Sequence, residues 1–354
     1  MPAEGVGSPR GTVLVTGGAG FIGSAISAGL ADRFDRVIAL DNVHPQIHPS
    51  AARPAGLDPR AELVVGDVTL AADWDALLGT VSPDVVIHLA AETGTAQSLA
   101  EATRHAMVNV VGTTQMLDAL LRHEALPERV VLTSSRAVYG EGAWRAQRTA
   151  ATLASGQWDF PSAEPLPMAA QTTRPAPVSV YGSTKLAQEN LLRCWATSVG
   201  VEAVVLRLQN AYGPGQSLIN PYTGIMSLFC RLARAEQSIP LYEDGEVRRD
   251  FVLIDDVARA VVAAAVAPNP GSEAIDIGAG EHQTIARAAE LIATRYGAPA
   301  PHVSGAFREG DVRHAWADVT WAATALGWEP QFGLAEGIDR LATWIDEQID
   351  RTAP

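Results

Sequence analysis

The feature that most constrains the fold is a glycine-rich turn near the start of the chain, Gly17-Gly-Ala-Gly-Phe-Ile-Gly23. It follows the apolar run Thr12–Thr16, which has the composition of a strand buried on both faces. A helical stretch from about Phe21 to Arg33 comes after it. Such glycines permit a tight turn and let backbone N–H groups approach a pyrophosphate at the helix N-terminus. The sequence therefore predicts a strand-turn-helix unit that binds a dinucleotide.

The residue that ends the second strand-like run, Arg36–Leu40, indicates which dinucleotide is bound. A carboxylate at Asp41 would accept hydrogen bonds from the adenosine ribose hydroxyls and repel a 2′-phosphate, which favours NAD over NADP. The alternative is a structural turn with an Asp41 that caps a helix or faces water. Asp67, after the third strand-like run, is a candidate adenine contact, and a loop-capping role is the alternative for it.

Strand-like and helical stretches alternate along most of the chain. Further strand-like runs occupy Glu62–Val65, Asp84–Leu89, Arg129–Thr133 and Ala203–Leu208. Helical stretches such as Leu99–Arg122 and Ser183–Ser198 lie between them. This alternation predicts an α/β fold, with a Rossmann-type doubly wound parallel sheet and helices on both of its faces.

Two lapses in this alternation divide the chain. The first is a Pro-, Gly- and Thr-containing segment at about 142–177, which predicts an insertion in a long loop. The second follows Leu208, where the chain turns irregular before helical stretches resume. We therefore predict a smaller, interleaved C-terminal substrate domain. The expected bounds are a flexible tail at 1–10, an NAD-binding domain at 11–208 completed by about 251–278, and a substrate domain at 209–250 and 279–354.

A tyrosine and a lysine one helical turn apart are the candidate catalytic groups. Tyr181 and Lys185 form a YxxxK pattern, so on a helix both side chains lie on one face. The ammonium group would lower the pKa of the phenol, and the phenolate would take a proton from a sugar or alcohol hydroxyl while hydride leaves to a nicotinamide. An amphipathic surface pair is the alternative for this common pattern. Ser135 favours the catalytic interpretation, because it ends a strand at the edge where open parallel sheets bind ligands.

Further motifs occur in an order that is typical of one protein family. The matching stretches are Gly17–Gly23, Asp41, Asp67-Val68, His88–Ala91, Val108–Thr113, Ser134–Gly140, Tyr181–Lys185 and Arg249–Asp256. The chain resembles the extended short-chain dehydrogenases/reductases of the NAD-dependent epimerase/dehydratase family. The resemblance implies a Rossmann fold, bound NAD and a nucleotide-diphosphate sugar as substrate, with Ser135, Tyr181 and Lys185 as the catalytic residues.

The resemblance also implies which residues hold the cofactor and the substrate. Expected cofactor-binding residues are Gly17, Gly20, Phe21, Ile22, Gly23, Asp41, Asn42, Asp67, Val68, Leu89, Ala90, Ala91, Asn109, Tyr181 and Lys185. Expected substrate-binding residues are Glu92, Thr93, Ser135, Arg136, Asn210, Arg249 and Arg308. Arg249 and Arg308 match arginines that meet a diphosphate in the family. Glu92 and Thr93 lie in the loop after the fourth strand, where contact with the sugar or with water are the open alternatives. The family commonly dimerises through two helices, for which Leu99–Arg122 and Ser183–Trp195 are the candidates, so we expect a homodimer.

The residues after Ser135 indicate which reaction of the family is expected. Dehydratases of the family usually carry Thr-Asp-Glu where this chain has Ser135, Arg136 and Ala137, and decarboxylases usually keep a glutamate at the last position. A lone serine with Tyr181 and Lys185 suits a 4-epimerase, which oxidises C4 of the sugar, turns the ketone and returns hydride to the other face.

Several stretches point to one type of epimerase. Residues 89–98, 134–142 and 208–224 most resemble the bacterial dTDP-L-rhamnose 4-epimerase type, although the insertion lacks the cysteines common there. We expect a dTDP- or UDP-linked (deoxy)hexose as substrate. Another nucleotide-sugar redox enzyme of the family (a 4-ketoreductase, dehydratase or decarboxylase) and a non-catalytic NAD-binding protein are the alternatives.

Composition limits the other function classes. The chain carries 26 Lys and Arg against 40 Asp and Glu, a net charge of −14 that repels polyphosphate, so nucleic acid is not an expected partner. Two distant cysteines, Cys194 and Cys230, favour neither a disulfide framework nor a zinc site. Pro45 and Pro49 argue against a helix that would bring His44 and His48 together at a metal. No apolar run approaches the ~18 residues that span a bilayer, and the first ten residues do not form a signal peptide. We expect no metal, no membrane contact and a cytoplasmic location.

Overall fold

A parallel sheet of seven strands forms the centre of the protein. In this computed structural model the described residues are 11–48, 50, 52–145, 164–220, 224–307 and 311–352. The predicted tail at 1–10 and most of the insertion, 146–163, lie outside them.

The strands and helices are numbered in chain order. The strands are β1 (Thr12–Thr16), β2 (Arg36–Asp41), β3 (Ala61–Val65), β4 (Val85–His88), β5 (Arg129–Ser135), β6 (Ala143–Arg145), β7 (Glu164–Leu166), β8 (Glu202–Leu208), β9 (Asn210–Tyr212), β10 (Pro240–Leu241), β11 (Arg248–Arg249), β12 (Phe251–Leu253), β13 (Ile275–Ile277), β14 (Gln283–Thr284), β15 (His302–Val303) and β16 (His314–Ala315). The helices are α1 (Phe21–Ala31), α2 (Ala71–Leu78), α3 (Thr95–Ala100), α4 (Ala102–His105), α5 (Gly112–Arg122), α6 (Val180–Val199), α7 (Ile225–Arg234), α8 (Ile254–Val266), α9 (Ile285–Tyr296), α10 (Thr320–Leu326) and α11 (Leu334–Thr352). A π-helical turn occupies Ala106–Val111 and a 3₁₀ turn occupies Arg136–Tyr139.

The order of the strands across the central sheet is β13-β8-β5-β4-β1-β2-β3, and every neighbouring pair is parallel. The order reverses on either side of β1, so the carboxyl ends of β1 and β4 flank a crevice at one edge. Helices α1 and α8 cover one face of the sheet, and α2 and α5 pack together on the other. The predicted α/β class and doubly wound parallel sheet are therefore confirmed.

The helix predicted over Leu99–Arg122 is not continuous. The chain instead forms α3 and α4, passes through the π-helical turn and continues as α5. A π-helical turn is one residue wider than an α-helical turn and often lies at a functional site. This wider turn carries Asn109, whose side chain is fully buried.

The C-terminal part of the chain forms a smaller cluster beside the sheet. Its apolar core comes from α7, α9 and α11 and includes Phe229, Ile292 and Leu341. Strands β11, β14 and β16 form a small sheet there, and β9 pairs with β12. The segment α8–β13 returns to the central sheet, where β13 pairs with β8. Asp250 joins the two regions, because its carboxylate accepts a hydrogen bond from the backbone of Ala279 at 2.6 Å.

The ends of the predicted insertion are tied to the fold. Strands β6 and β7 form an antiparallel pair on either side of residues 146–163. The backbone N–H of Ala170 donates to the Asp276 carboxylate at 2.8 Å. Met168 and Ala317 form an isolated parallel β-bridge. Within the described ranges, no helix combines the length and the apolar character needed to cross a membrane.

Candidate active site

The glycine-rich turn lies between β1 and α1, with its backbone packed closely against neighbouring chain segments. Gly17 has a φ of +67°, and a Cβ there would stand 2.8 Å from the backbone N of Ala90. A Cβ at Gly18 would stand 2.6 Å from the Cβ of Ala39, and one at Gly23 would stand 2.5 Å from the Gly18 carbonyl oxygen. Side chains are thus excluded at all three glycines. Gly18 was not among the predicted cofactor residues, although the GxGxxG spacing at 18, 20 and 23 signals it.

The N-terminus of α1 has the character of an anion site. Its N-cap is Gly20, and no side chain caps it. The first N–H groups of a helix have no intrahelical acceptor, so those of Phe21, Ile22 and Gly23 remain available. A Cβ at Gly20 would meet only the Gly17 carbonyl, at 3.2 Å, so this side of the turn is open. These groups fit the pyrophosphate of a dinucleotide.

Asp41 stands at the end of β2, beside the glycine turn. Its Oδ2 accepts from the backbone N–H of Ala19 at 3.0 Å, and its Oδ1 accepts from that of Val43 at 2.8 Å. The Nε2 of His48 lies 3.9 Å from Oδ1. These contacts fix the carboxylate at the turn, and its further lone pairs fit the hydroxyls of a ribose.

Asp67 and Asn42 contact each other at the ends of neighbouring strands. The Asn42 Nδ2 donates to Asp67 Oδ2 at 3.1 Å, while Asp67 Oδ1 accepts from the Thr69 backbone and hydroxyl at 2.8 and 2.7 Å. The bonds to Thr69 are those of a loop-capping aspartate, the alternative that the sequence left open. Val68 is buried, and a Cβ at Gly112 would stand 2.8 Å from its Cγ2.

The end of β4 is held next to β1 and the glycine turn. The backbone N–H groups of Leu89 and Ala90 donate to the carbonyl and hydroxyl oxygens of Thr16, at 3.0 and 3.3 Å. Ala90 and Ala91 are both half-buried. The chain from 89 to 91 thus lines the crevice between the two strands.

Asn109 connects this loop to helix α6. Its Oδ1 accepts from the backbone N–H of Glu92 at 2.8 Å, and its Nδ2 donates to the Glu92 carbonyl at 3.0 Å. The same Nδ2 donates to the hydroxyl of Thr184, on α6, at 2.9 Å. The Asn109 side chain therefore fixes the position of α6 relative to the end of β4.

The structure brings the three predicted catalytic residues to the carboxyl end of β5. Ser135 is its last residue, and its hydroxyl accepts from the backbone N–H of Ala137 at 3.2 Å and is hydrogen-bonded to Tyr181. Lys185 is buried, and its Nζ donates to the carbonyl of Thr133 at 2.9 Å. The 3₁₀ turn packs closely against α6: a Cβ at Gly182 would stand 2.4 Å from the Ala137 carbonyl oxygen.

The electrostatics of this group differ from the prediction. Burial raises the pKa of the Tyr181 phenol, and the hydrogen bond with Ser135 and the charge of Arg136 offset part of that rise. Burial also lowers the pKa of Lys185 to about 7, against the opposing charge of Glu189. The structure thus raises the pKa of the phenol where the sequence predicted a lowered one. The ammonium group of Lys185 is buried against a strand carbonyl.

Three of the predicted substrate residues lie together beside Tyr181. The Arg136 Nε donates to Asn210 Oδ1 at 2.7 Å. Arg249 is buried, and its Nη2 donates to Asp311 Oδ1 at 2.6 Å. Burial and the neighbouring charge of Arg249 lower the pKa of Arg136 to about 10. Arg308, the other predicted arginine, lies outside the described residues.

The loop after β4 carries the remaining two predicted substrate residues. The Glu92 carboxylate accepts from Arg104 Nε at 2.8 Å, so it forms an ion pair instead of facing solvent alone. Thr93 is exposed, and its carbonyl lies 3.3 Å from the Nε2 of His105.

Sequence reasoning missed several residues around the site. Glu189 and Arg207 form a fully buried pair at 2.7 Å behind Lys185, and the Ser134 hydroxyl donates to Glu189 at 2.5 Å. The position of Glu189 one turn after Lys185 on the same helix is the signal that could have found it. Asp311 and Arg104, which hold Arg249 and Glu92, had no local signal.

Comparison with known proteins places the chain in context. The model of the NAD-dependent epimerase/dehydratase family matches residues 13–278. The chain is 56% identical to a dTDP-L-rhamnose 4-epimerase of Burkholderia thailandensis over 348 residues, which are 96% of each chain. It is 30% identical to a UDP-glucose 4-epimerase of Mycolicibacterium smegmatis over 92% of this chain and 95% of that one.

Solved structures agree with these matches. A UDP-glucose 4-epimerase of Thermotoga maritima solved with UDP-glucose is 28% identical and superposes with a TM-score of 0.80, over 96% of this chain and 99% of that one. A Thermus thermophilus UDP-glucose 4-epimerase in complex with NAD is 26% identical, with a TM-score of 0.76 over 95% and 99% of the two chains. The family model and the NAD-bound relative confirm NAD as the cofactor that the sequence predicts.

Proposed function

This chain belongs to the NAD-dependent epimerase/dehydratase family, and we propose that it inverts the C4 hydroxyl of a nucleotide-linked deoxyhexose, with dTDP-L-rhamnose as the first candidate. The observation that carries the reaction type is the turn after β5. Ser135 there bonds to Tyr181, and the next two residues are Arg136 and Ala137 instead of the acidic pair of a dehydratase. The 56% identity to an enzyme named for dTDP-L-rhamnose supports the choice of sugar.

The cofactor is assigned to the crevice at the carboxyl ends of β1, β2 and β4. The pyrophosphate would meet the N–H groups at the start of α1, and the adenosine ribose would meet Asp41. The proposed cofactor residues are Gly17, Gly20, Phe21, Ile22, Gly23, Asp41, Asn42, Asp67, Val68, Leu89, Ala90, Ala91 and Asn109, with Gly18 added from the structure. Bound NAD supplies the acceptor for the hydride that leaves C4 and, after the ketone has turned, its donor.

Tyr181 is assigned as the group that moves the proton. Its phenolate oxygen would take the proton of the C4 hydroxyl as hydride leaves, and would return it when hydride arrives at the other face of the ketone. Ser135 would share the same sugar oxygen by a hydrogen bond. Lys185, buried beneath the strand end, would hold the cofactor ribose and support the charge of the phenolate. No net oxidation results, so NAD is regenerated in each turnover.

The substrate diphosphate is assigned to the cationic side of the site. Arg249 is a buried arginine whose charge acts on Arg136, and guanidinium groups bind diphosphates by paired hydrogen bonds. Arg308 is proposed as a second diphosphate contact on the sequence pattern. Glu92 and Thr93 are proposed to touch the sugar from the loop after β4.

The proposal also assigns separate regions of the chain to the cofactor and the substrate, and it includes a homodimer. Residues 11–208 and about 251–278 would hold NAD, and residues 209–250 and 279–354 would hold the nucleotide sugar. Leu99 and Met107 are 73% and 44% exposed on the helices where the family is expected to dimerise, which supports pairing through that face. The unpaired state of both Cys194 and Cys230 supports a cytoplasmic enzyme.

A proton NMR time course tests the reaction. The purified protein is incubated separately with dTDP-L-rhamnose, UDP-glucose, UDP-glucuronate and dTDP-glucose, without added reductant. We expect C4 inversion of dTDP-L-rhamnose and little change in the other three sugars. Turnover that requires added NADH and a 4-keto sugar, or loss of water or carbon dioxide, would replace the proposal with a reductase, dehydratase or decarboxylase.

A further inference from the structure

Two segments from different parts of the chain meet beside the start of α1. The loop after β2 folds back toward the glycine turn, because Asp41 accepts from the backbone of Ala19 and the Nε2 of His48 lies 3.9 Å from Asp41 Oδ1. The segment after β9 approaches from the other side. A Cβ at Gly215 would stand 3.8 Å from the ring of Phe21, the first residue of α1. Both segments therefore lie next to the helix start to which the cofactor pyrophosphate is assigned.

The side chain of Gln46, in the loop after β2, uses its full hydrogen-bonding capacity. Its Nε2 donates to Gln97 Oε1 and to Asn220 Oδ1, both at 3.2 Å. Its Oε1 accepts from Gln97 Nε2 at 3.3 Å and from Arg104 Nη2 at 3.0 Å. A side-chain amide has two donor hydrogens and two acceptor lone pairs, so all four are occupied. Gln97 and Asn220 are both buried, so these bonds hold Gln46 in one orientation.

The contacts of Gln46 extend across the edge of the sheet where the cofactor is assigned. Gln97, in α3, follows β4 along the chain, and Asn220 belongs to the segment after β9. Because β1 lies between β2 and β4 in the sheet, the contact from Gln46 to Gln97 spans the carboxyl end of β1, where the glycine turn begins. A second bond, from Ser217 Oγ to the Ile47 carbonyl at 3.0 Å, joins the loop after β2 to the segment after β9. A dinucleotide bound at the glycine turn would have to break these contacts to leave on this side.

We propose that Gln46 is a positioning residue that closes the loop after β2 over the cofactor crevice and so retains the dinucleotide throughout turnover. The inference rests on the proposed function, which supplies the place of the cofactor and the need to retain it. In that reaction hydride leaves the sugar for the nicotinamide and returns to the same carbon. Loss of the reduced cofactor between these two steps would leave a ketone without its hydride donor, so slow release is part of the chemistry.

The anchor of Gln46 on the β4 side is itself held firmly. Arg104 donates not only to Gln46 but also to Glu92 Oε1 at 2.8 Å and to Glu101 Oε2 at 3.0 Å. The backbone of Glu92 is in turn bonded on both sides to the side chain of Asn109. Gln46 is assigned no contact with the cofactor or the sugar, so its substitution would free the loop after β2 and leave the assigned binding residues in place.

Three substitutions separate the closure from its surroundings. Gln46→Leu removes all four hydrogen bonds at a similar side-chain size. Asn220→Leu removes only the bond to the segment after β9, and the bonds to α3 and α4 remain. Asn220→Asp keeps an oxygen that accepts from the Gln46 amide. Gln237→Leu is the matched control, because Gln237 is exposed in the loop after α7.

The first readout is the rate of cofactor release, measured without any sugar. The protein is loaded with NADH, excess NAD is added, and the fall in the fluorescence of bound NADH is followed. We expect release about tenfold faster in Asn220→Leu and at least about thirtyfold faster in Gln46→Leu, because buried amide groups lose their hydrogen bonds. Asn220→Asp and Gln237→Leu should release NADH at the original rate. An unchanged rate in Asn220→Leu would overturn the proposal, and this variant decides alone if Gln46→Leu does not fold.

The second readout is one that a merely structural role would not change. With dTDP-L-rhamnose and no added NAD, the activity of Asn220→Leu should decline during the assay as reduced cofactor escapes. Excess NAD should restore the initial rate, and the unsubstituted protein should need no addition. A loss of activity that NAD does not restore would overturn the proposal. Accelerated NADH release in a protein that inverts no sugar would overturn only the proposed function.

Discussion

The proposed cofactor side and the proposed substrate side of this site are built in different ways. The cofactor side uses mainly backbone: a glycine turn without room for side chains, an uncapped helix start, and carboxylates that accept backbone N–H bonds. The substrate side uses charged and amide side chains from the turn after β5, from β9, from β11 and from the segment before β16. Backbone geometry makes a site that tolerates few substitutions but recognises a constant ligand. Side-chain charges make a site that can be retuned for another sugar by exchanging a few residues.

The largest expected effect comes from the one group that serves both sides. Tyr181→Phe should lower kcat by about 10³-fold, because no phenol remains to carry the C4 proton. NAD should still be retained, which is measured by its release on denaturation of the purified protein. Tyr242→Phe, at a tyrosine that is 46% exposed, is the control and should keep full activity. Near-normal turnover by Tyr181→Phe would refute the assignment of the base.

The glycine turn provides the sharpest test of the backbone-built side. Gly17→Ala forces a Cβ to 2.8 Å from the Ala90 backbone N at a φ of +67°, so we expect NAD affinity to fall at least about tenfold. Gly297→Ala is the matched control, since its φ is +64° and a Cβ there meets nothing within 4 Å. It should cost about 1 kcal/mol of stability and leave NAD binding unchanged. The measurement is a calorimetric titration of both variants with NAD. Equal NAD affinities in the two variants would show that the close approach of Gly17 to Ala90 is unimportant.

A charge substitution on the substrate side should leave the cofactor side untouched. Arg249→Gln removes a buried guanidinium, and we expect KM for the nucleotide sugar to rise about 10- to 30-fold, as the loss of charged hydrogen bonds implies. NAD affinity should not change. Arg248→Gln, next to it on β11, should have little effect on either constant. If Arg249→Gln weakened NAD binding instead, the separation of the two sides would be wrong.

The smallest expected effect concerns stability beneath the cofactor side. His88 is fully buried between the hydroxyls of Thr16 and Thr113, at 2.7 and 2.9 Å. Burial lowers its pKa to about 3, with the charge of Lys185 acting in the same direction. The unfolded chain takes up a proton at its ordinary pKa of 6.5, so this stability is present above pH 6.5 and is lost as pH falls from 6.5 to about 3.

The measurement for His88 is urea unfolding of the chain and of His88→Asn at several pH values between 7.5 and 5. The contribution of His88 should fall by up to about 1.4 kcal/mol per pH unit below 6.5. Burial raises the pKa of Asp250 and of Asp276 to about 7, and these groups change stability in the opposite sense. The difference in slope between the two proteins isolates His88, and identical slopes would show that His88 is not kept neutral.

The same contrast explains how much the sequence could predict. The β1 strand, the glycine turn and Asp41 lie within thirty consecutive residues, and their spacing is dictated by local geometry, so the fold class and the use of NAD followed from the pattern. The break of the predicted Leu99–Arg122 helix did not follow, because the π-helical turn arises where Asn109 reaches across to Glu92 and Thr184. The raised pKa of the phenol was unpredictable for a similar reason. Helical spacing places Lys185 near Tyr181, but only the tertiary structure shows that the phenol is buried and that the Lys185 ammonium donates to Thr133.

The central claim is that hydride leaves C4 and returns to the same carbon within one turnover. Substrate deuterated at C4, dTDP-[4-²H]-L-rhamnose, is converted by the NAD-loaded protein in ordinary water, and the product is examined by mass spectrometry and proton NMR. The account predicts a C4-inverted sugar that keeps its deuterium at C4 without added NADH. An inverted product that carries solvent hydrogen at C4 would contradict it.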